Sequence, residues 1–391
     1  MNEISVVGAG NPAPQNDDAF SDGSYPFFRT SDVGKILFGE IATSADLLND
    51  AARAKLRLVP AGTVLMPKSG ASTFLNHRVI TAVEGYVSSH LATITPNTEY
   101  ADGRYLLYAL DRVRAQALLP ENSYPSLNLN LIKGIKIPLP PLEEQRRIVA
   151  VLDEAFDGLA RARENTEANL ASARELFAGA MDEALSDPEL NSRTMSLADI
   201  VTEDCTLSYG IVQPGDEIEE GLPTVRPIDL GAHYVNLRGV KRIDPARASS
   251  YARTTLVGGE LLLCVRGSTG TISIAENELS GANVTRGIVP IRLNGEILLP
   301  EVAYYCFLSR SVQQQIAAAT YGAALQQINI KDVRKLQIPV PSIGKQGELL
   351  GRLSQLSEHC QTLVAGAEED MTDLNELRQS LLQKAFAGEL T

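Results

Sequence analysis

From Leu142 onward, apolar and small residues recur at alternating steps of four and three. Ile148, Leu152, Ala155, Leu159, Ala162, Thr166, Asn169, Ala173, Leu176 and Ala180 all fall on this seam. Steps of this kind mark the buried stripe of a coiled coil. After Ile343 the same steps pick out Leu349, Leu353, Leu356, Cys360, Leu363, Ala367, Asp370, Leu374, Leu377 and Leu381, each 201 residues beyond its counterpart. The pattern predicts two long helices of about forty-four residues, each about 66 Å long at 1.5 Å per residue. Asn169 and Asp370 share one seam position, where they either mark a solvated kink or fix the alignment of the two helices. Prolines precede both helices, at 138, 140 and 141 and again at 339 and 341, and forbid helix upstream.

The segments ahead of the helices also repeat, with an offset of 197. "YPFFRTSDVG" from Tyr25 aligns with "LPTVRPIDLG" from Leu222, and "GTVLMPKSGAS" from Gly62 aligns with "GELLLCVRGST" from Gly259. Tyr108 and Tyr124 match Tyr305 and Tyr321, and four residues inserted before Asn329 convert 197 to 201. Short β-type runs such as "GTVLMP" and "GIVPIRL" alternate with glycine turns, and one helical stretch follows in each half. The expected architecture is α+β and duplicated, with pseudo-twofold symmetry. Its parts are a globular domain over 1–137, a long helix over 138–188, a second domain over 189–338 and a second long helix over 339–391.

The net charge of −13 would ordinarily count against a nucleic-acid partner. Its distribution alters that conclusion. Residues 1–137 hold 12 basic and 13 acidic side chains and residues 196–338 hold 13 and 15, whereas 138–195 hold 6 and 12 and 339–391 hold 4 and 8. The acid therefore belongs to the helices, and the globular parts are nearly neutral. Cys205, Cys264, Cys306 and Cys360 lie far apart without metal spacing, which favours reduced structural thiols over a zinc site or disulfides. No run of eighteen apolar residues and no signal-type start occurs, so a cytoplasmic protein without membrane insertion is expected.

Two catalytic motifs fail in context. "VVGAGNPA" from Val6 has the glycine spacing of a dinucleotide turn, but prolines and polar residues follow where a helix must start. "NPAP" from Asn11 lacks the aromatic residue on which a methyltransferase of the Asn-Pro-Pro-Tyr type stacks a flipped base. Phosphate-loop, zinc-protease and serine-hydrolase signatures are missing, and the four histidines are scattered. Nothing in the sequence points to catalysis by this chain.

Three stretches together resemble the specificity subunit of type I restriction-modification systems: "NLNLIKGIKIPLPPLEEQRRIVAVLDEAF" from Asn128, its repeat from "QINIKDVRKLQIPVPS", and the ending "ELRQSLLQKAFAGEL". The resemblance covers essentially the whole chain. It implies two target recognition domains, each reading one half of a split double-stranded DNA sequence, with an antiparallel pair of long helices that dock two methyltransferase subunits. It further implies motor-nuclease subunits in the full complex, and S-adenosylmethionine, magnesium and ATP used by those partners, with no cofactor bound by this chain. Two departures stand out: the first domain lacks a counterpart of the lead-in "NSRTMSL" from Asn191, and the second junction reads "PSIGKQG" where the first reads "PPLEEQR".

Reading DNA needs cations and amides on phosphates and hydrogen-bonding side chains at base edges. In the first domain Arg53, Lys55, Arg57, Lys68 and Arg78 form a basic run without acid; in the second, 226–253 holds six basic residues, Arg242 among them, against Asp229 and Asp244. The loop-placed candidates of the first domain are Lys68, Ser69, Ser72, Asn76, Arg78, Ser89, His90, Tyr124 and Asn128. Those of the second are Arg266, Ser268, Thr269, Asn283, Arg286, Tyr321, Gln326 and Asn329. Turns favour the same side chains for structural reasons, so the set carries more than any member. The competing reading is a coiled-coil interaction scaffold that reads no DNA, and sequence preference in a mobility shift separates the two.

Overall fold

The computed structural model of the chain describes residues 1–119, 124–323 and 325–390. Its first half runs β1 (Ser5–Ala9), β2 (Tyr25–Phe28), α1 (Thr30–Ile36), β3 (Phe38–Ile41), β4 (Leu47–Leu48), α2 (Asp50–Arg53), β5 (Val64–Pro67), β6 (Arg78–Thr81), β7 (Tyr86–Val87), β8 (Leu91–Pro96), α3 (Gly103–Asp111), α4 (Leu129–Lys133) and α5 (Leu142–Leu185). The second runs β9 (Arg193–Ser196), α6 (Leu197–Ile200), β10 (Leu222–Val225), β11 (Tyr234–Val235), β12 (Lys241–Ile243), β13 (Leu261–Cys264), β14 (Ile272–Ala275), β15 (Asn283–Val284), β16 (Ile288–Ile291), α7 (Pro300–Leu308), α8 (Arg310–Ala319), α9 (Ile330–Val333), β17 (Gln337–Val340) and α10 (Ile343–Ala387). Helices and strands are mixed throughout, as the α+β expectation requires.

The chain divides into two compact units, Met1–Asn165 with Asp370–Thr391, and Thr166–Glu369. Each therefore contains a globular part and one half of each long helix. In the first unit the main sheet has the order β1-β8-β5-β6-β3, and a smaller sheet has the order β4-β2-β7. In the second, β16-β13-β14-β11 and β12-β10-β15 repeat both orders, and the Val201–Leu293 bridge stands where β1 pairs β8. Parallel pairing of β2 with β7 and of β3 with β6 is likewise repeated by β10 with β15 and β11 with β14. The duplication read from sequence is thus a duplication of topology.

The central strands β5 and β13 read as unbroken apolar runs because both faces of the sheet are covered there. On one face of the first sheet, Val64, Met66, Ile80 and Ile94 meet Leu106, Leu107 and Leu110 of α3; on the other, Leu65, Val79 and Leu91 meet Phe28, Val33 and Val87. The second sheet does the same. Leu261, Leu263, Ile274 and Ile291 share a core with α7, while Leu262 and Ile288 face Val225 and Val284. Each fully buried side chain of this size contributes about 1.5–3 kcal/mol.

The long helices pair in opposite directions within each unit. In the first, Ile148, Val149 and Leu152 near the start of α5 pack with Leu382, Ala385 and Phe386 near the end of α10, and with Tyr105 and Tyr108 of α3. In the second, Met181, Ala184 and Leu185 at the end of α5 share a core with Leu349 and Leu353 at the start of α10. The strict heptad seam does not persist. Leu159 is half-buried, and Leu176, Leu363 and Leu377 are 73%, 62% and 48% exposed. Asn169 and Asp370 are exposed as well. The inward stripe of α5 instead continues through Leu170, Ala173, Phe177, Met181 and Ala184. From Ile148 it makes ten steps in 36 residues, the 3.6-residue period of an undistorted helix rather than the 3.5 of a supercoil.

Candidate nucleic-acid interface

The loop after the central strand of each main sheet is tied to the segment that leads into the last short helix. In the first unit the Gly70 N–H donates to the Pro125 carbonyl at 2.9 Å, the Leu127 N–H to the Lys68 carbonyl at 2.7 Å, and Ser69 bridges Ser126. In the second, Gly267 donates to Gln326 at 2.8 Å, Ile328 to Val265 at 3.0 Å, and Arg266 bridges Gln327. A third loop closes the group: the Lys68 N–H donates to the His90 carbonyl at 3.0 Å, as Val265 does to Gly287 at 2.8 Å. Gly70 and Gly267 adopt φ of +81° and +87°, where a Cβ would be strained, so glycine is needed to turn both loops.

This frame gathers the sequence-derived candidates into one loop cluster per unit. In the first, Lys68 and Ser69 are half-buried, His90 is exposed with Nδ1 2.7 Å from the Ser69 hydroxyl, and Tyr124 is 75% exposed. Ser89 and Ser72 are half-buried beside them, the Ser72 hydroxyl donating to the Ser69 carbonyl at 3.4 Å. Asn128 accepts the Leu131 N–H at 3.0 Å and so caps α4 while remaining exposed. In the second unit Arg286 and Ser268 are exposed, Arg266 and Thr269 half-buried, and the Tyr321 hydroxyl donates to Asn329 at 3.0 Å. Gln326 holds the loop through its carbonyl, leaving its exposed side chain free of described partners.

Other candidates hydrogen-bond within their own domain. Arg78 is fully buried, donating to the His77 carbonyl at 2.8 Å and the Val113 carbonyl at 3.3 Å, and burial lowers its pKa to about 10 despite nearby Asp111. Asn76 sits at φ 57°, accepts the Ala115 N–H at 2.7 Å and donates to Phe74 and Gln116. Asn283 is buried, accepting the Thr254 hydroxyl at 2.8 Å and donating to the Tyr251 carbonyl. Arg57 stays exposed and faces no carboxylate among the described residues, its guanidinium donating to the Ala9 carbonyl at 2.6 Å, while half-buried Arg242 donates to the Gly221 carbonyl at 3.2 Å.

The basic runs thin out in the same way. Arg53 pairs with Asp50 at 2.8 Å and lies over the Tyr25 ring, while Arg226 pairs with Asp229 at 2.7 Å. The shared Pro-Arg-Asp-Gly motif is thus structural: in both copies the arginine N–H donates to the aspartate three residues on. Among the described residues Lys55, Lys68, Arg266 and Arg286 face no carboxylate, and neither do Arg238 and Arg253, exposed cations outside the loop candidates. Ser126 and Gln327, not among the sequence candidates, bridge Ser69 and Arg266 in the two frames. Their signal was the 201-residue offset, which places them opposite one another in the two copies.

One frame is thus built twice and carries different side chains each time. The family described as the type I restriction modification DNA specificity domain matches residues 2–169 and 248–370, and the chain belongs to it. Among curated relatives, the EcoBI specificity subunit of Escherichia coli is 26% identical over 68% of this chain and 60% of its own length. The MjaX specificity subunit of Methanocaldococcus jannaschii is 22% identical over 99% of this chain and 91% of its length. The chain thus spans about three-fifths of the length of the E. coli relative. Two solved structures share the fold: one from a study of complex assembly and conformational transition in a type I R-M system (19% identical, TM-score 0.76, covering 99% and 96% of the two chains), and the HsdS subunit of Thermoanaerobacter tengcongensis (19%, TM-score 0.51, 97% and 95%). No helix among the described residues is long and apolar enough to cross a membrane.

Proposed function

We propose that this chain is the sequence-reading subunit of a type I restriction-modification complex, each unit reading one half of a bipartite double-stranded DNA target. The observation that supports it is the doubled loop cluster: matching backbone hydrogen bonds hold Lys68, Ser69, Ser89 and Tyr124 in one unit and Val265, Arg266, Arg286 and Tyr321 in the other. A constant frame with variable side chains suits two surfaces of like approach and unlike base preference. Lys55 and Lys68 are assigned to phosphates, and Arg266 and Arg286 to phosphate or guanine edges, where a guanidinium can donate twice.

In this reading the acidic long helices dock two methyltransferase subunits, motor-nuclease subunits join the full complex, and the protein works in the cytoplasm. Methyl transfer and cleavage belong to those partners, with S-adenosylmethionine, magnesium and ATP. A mobility shift with the partner methyltransferase tests the proposal. Its bipartite cognate duplex, found by methylation mapping, should bind at least about a hundredfold more tightly than a scrambled duplex at physiological salt. Equal affinity for both would favour a scaffold that reads no DNA.

A further inference from the structure

The turn over residues 226–229 joins the loop cluster of the second unit. A Cβ on Gly287 would stand 2.6 Å from Pro227 Cγ and 3.6 Å from the Arg266 carbonyl oxygen, so glycine lets three loops meet there. Ile228, the next residue of the turn, is 81% exposed, more than any other large apolar side chain among the described residues. Arg286, the neighbour of Gly287, is exposed, and Arg266 is half-buried. An isoleucine thus stands in water beside two guanidinium-bearing loops.

Its support is stiff. Pro227 fixes one backbone angle, and the Asp229 N–H donates to the Arg226 carbonyl at 2.9 Å. The Arg226 guanidinium holds both carboxylate oxygens of Asp229, Nη2 to Oδ1 at 2.7 Å and Nε to Oδ2 at 3.1 Å. A single exposed apolar side chain ordinarily needs no explanation. Here the duplication supplies a comparison: Ser31, Ser69 and Ser89 stand 197 residues before Ile228, Arg266 and Arg286. The arginine-to-aspartate turn is kept in both copies, while all three of these positions around it differ.

An isoleucine side chain neither donates nor accepts a hydrogen bond. Of the groups that base pairs display in the major groove, the thymine 5-methyl is the one it complements; against cytosine it would cover an amino donor and leave it unpaired. We propose that Ile228 is a specificity-determining residue that packs on the 5-methyl group of one thymine in the second half-site, next to the base or phosphate held by Arg286. This rests on the DNA reading proposed above and narrows it to a chemical group.

The test uses the complex with its methyltransferase and the cognate duplex found by methylation mapping. Each thymine of the second half-site, on either strand, is replaced in turn by deoxyuridine, which keeps the base pairing and lacks the methyl group. One such replacement should weaken binding of the wild-type complex about fourfold, the effect of exposing one methyl-sized apolar group. Ile228→Ser, a change at an exposed position to the residue type of the first unit, should bind the thymine duplex about fourfold more weakly and be indifferent to that replacement. Discrimination in the first half-site should be unchanged. The wild-type scan stands whether or not the variant folds. A scan without any loss, a second half-site with no thymine on either strand, or a loss that persists in Ile228→Ser would overturn the proposal, even while the complex still prefers its cognate duplex. Weaker assembly of the variant with the methyltransferase in the absence of DNA would assign Ile228 to a protein interface and overturn it too. Equal affinity of the wild type for cognate and scrambled duplexes would instead remove the DNA reading itself, and this proposal with it.

Discussion

Gln145 in the first unit and Gln346 in the second are both completely buried and make the same three hydrogen bonds. Gln145 Oε1 accepts the Asp102 N–H at 2.9 Å, and its Nε2 donates to the carbonyls of Tyr100 and Pro140, both at 2.8 Å. Gln346 accepts the Leu299 N–H at 2.8 Å and donates to Ile297 at 2.8 Å and Pro341 at 2.9 Å. Asp102 and Leu299 are the residues that open α3 and α7. One side chain therefore joins the start of the domain helix, the proline junction and the first turns of the long helix, and it does so twice.

Removing that side chain strands buried backbone groups. Gln145→Ala leaves one N–H and two carbonyls without their partner, and each such group costs about 1–3 kcal/mol. Urea unfolding of the full chain should show a loss of at least about 3 kcal/mol in the first unit, and Gln346→Ala the same in the second. A loss below about 1 kcal/mol would mean that water replaces the amide.

The long helices offer a contrast between two leucines on one seam. Leu152 is fully buried beside Tyr108 and Leu382, so Leu152→Asp should cost several kcal/mol by burying an unpaired charge. Leu176 is 73% exposed, and Leu176→Asp should stay within about 0.5 kcal/mol. Melting temperatures of the two variants decide between the observed 3.6-residue stripe and a continuous heptad seam.

What the sequence made legible was the frame. Offsets of 197 and 201 located both sheets, both junction glutamines and both loop clusters, because a duplicated backbone needs its glycines, prolines and core residues at the same places. Individual contacts were less legible. Asn76 and Asn283 look like base readers in a string of letters, yet side chains that can hydrogen-bond a base can also hold a turn, and both do the latter. Arg78 lay in a run without acid, and only the fold shows it enclosed near Asp111. The heptad pattern failed past Thr166 because small and polar residues there constrain register weakly, letting the helices keep their natural period.

The aromatic group around His233 predicts a pH dependence. Its ring is stacked between Tyr234 at 4.4 Å and Tyr304 at 4.0 Å, and Nε2 is buried without a partner among the described residues. Burial lowers its pKa, with Glu301 acting in the opposite sense, while Tyr305 packs edge-on. The unfolded chain therefore takes up the proton first, at about pH 6.5. The contribution of His233 to stability is complete above that pH and is lost as pH falls from there toward the lower folded value. The difference in unfolding free energy between wild type and His233→Phe should change over that interval and be flat above pH 7.5.

Cations on phosphates and cations on bases leave different signatures. Lys55→Ala with Lys68→Ala should weaken binding to all duplexes and reduce the salt slope by about 0.9 log unit per lost contact. Arg286→Ala should cost about 1–3 kcal/mol on the cognate duplex and relax preference at one position of the second half-site. Arg78→Ala should lower the melting temperature and leave the salt slope unchanged. Affinity measured against salt with the methyltransferase partner present separates the three.

The central claim is that two units read two half-sites independently, and methylation mapping after an exchange of one unit's globular part tests it most directly. Residues 1–135 are replaced by the corresponding segment of a relative with a known target, and the complex is expressed with its methyltransferase in a host whose genome is then mapped. The account predicts a methylated sequence in which one half has become that of the relative and the other half is unchanged. A change in both halves, or a single contiguous target before and after the exchange, would contradict it.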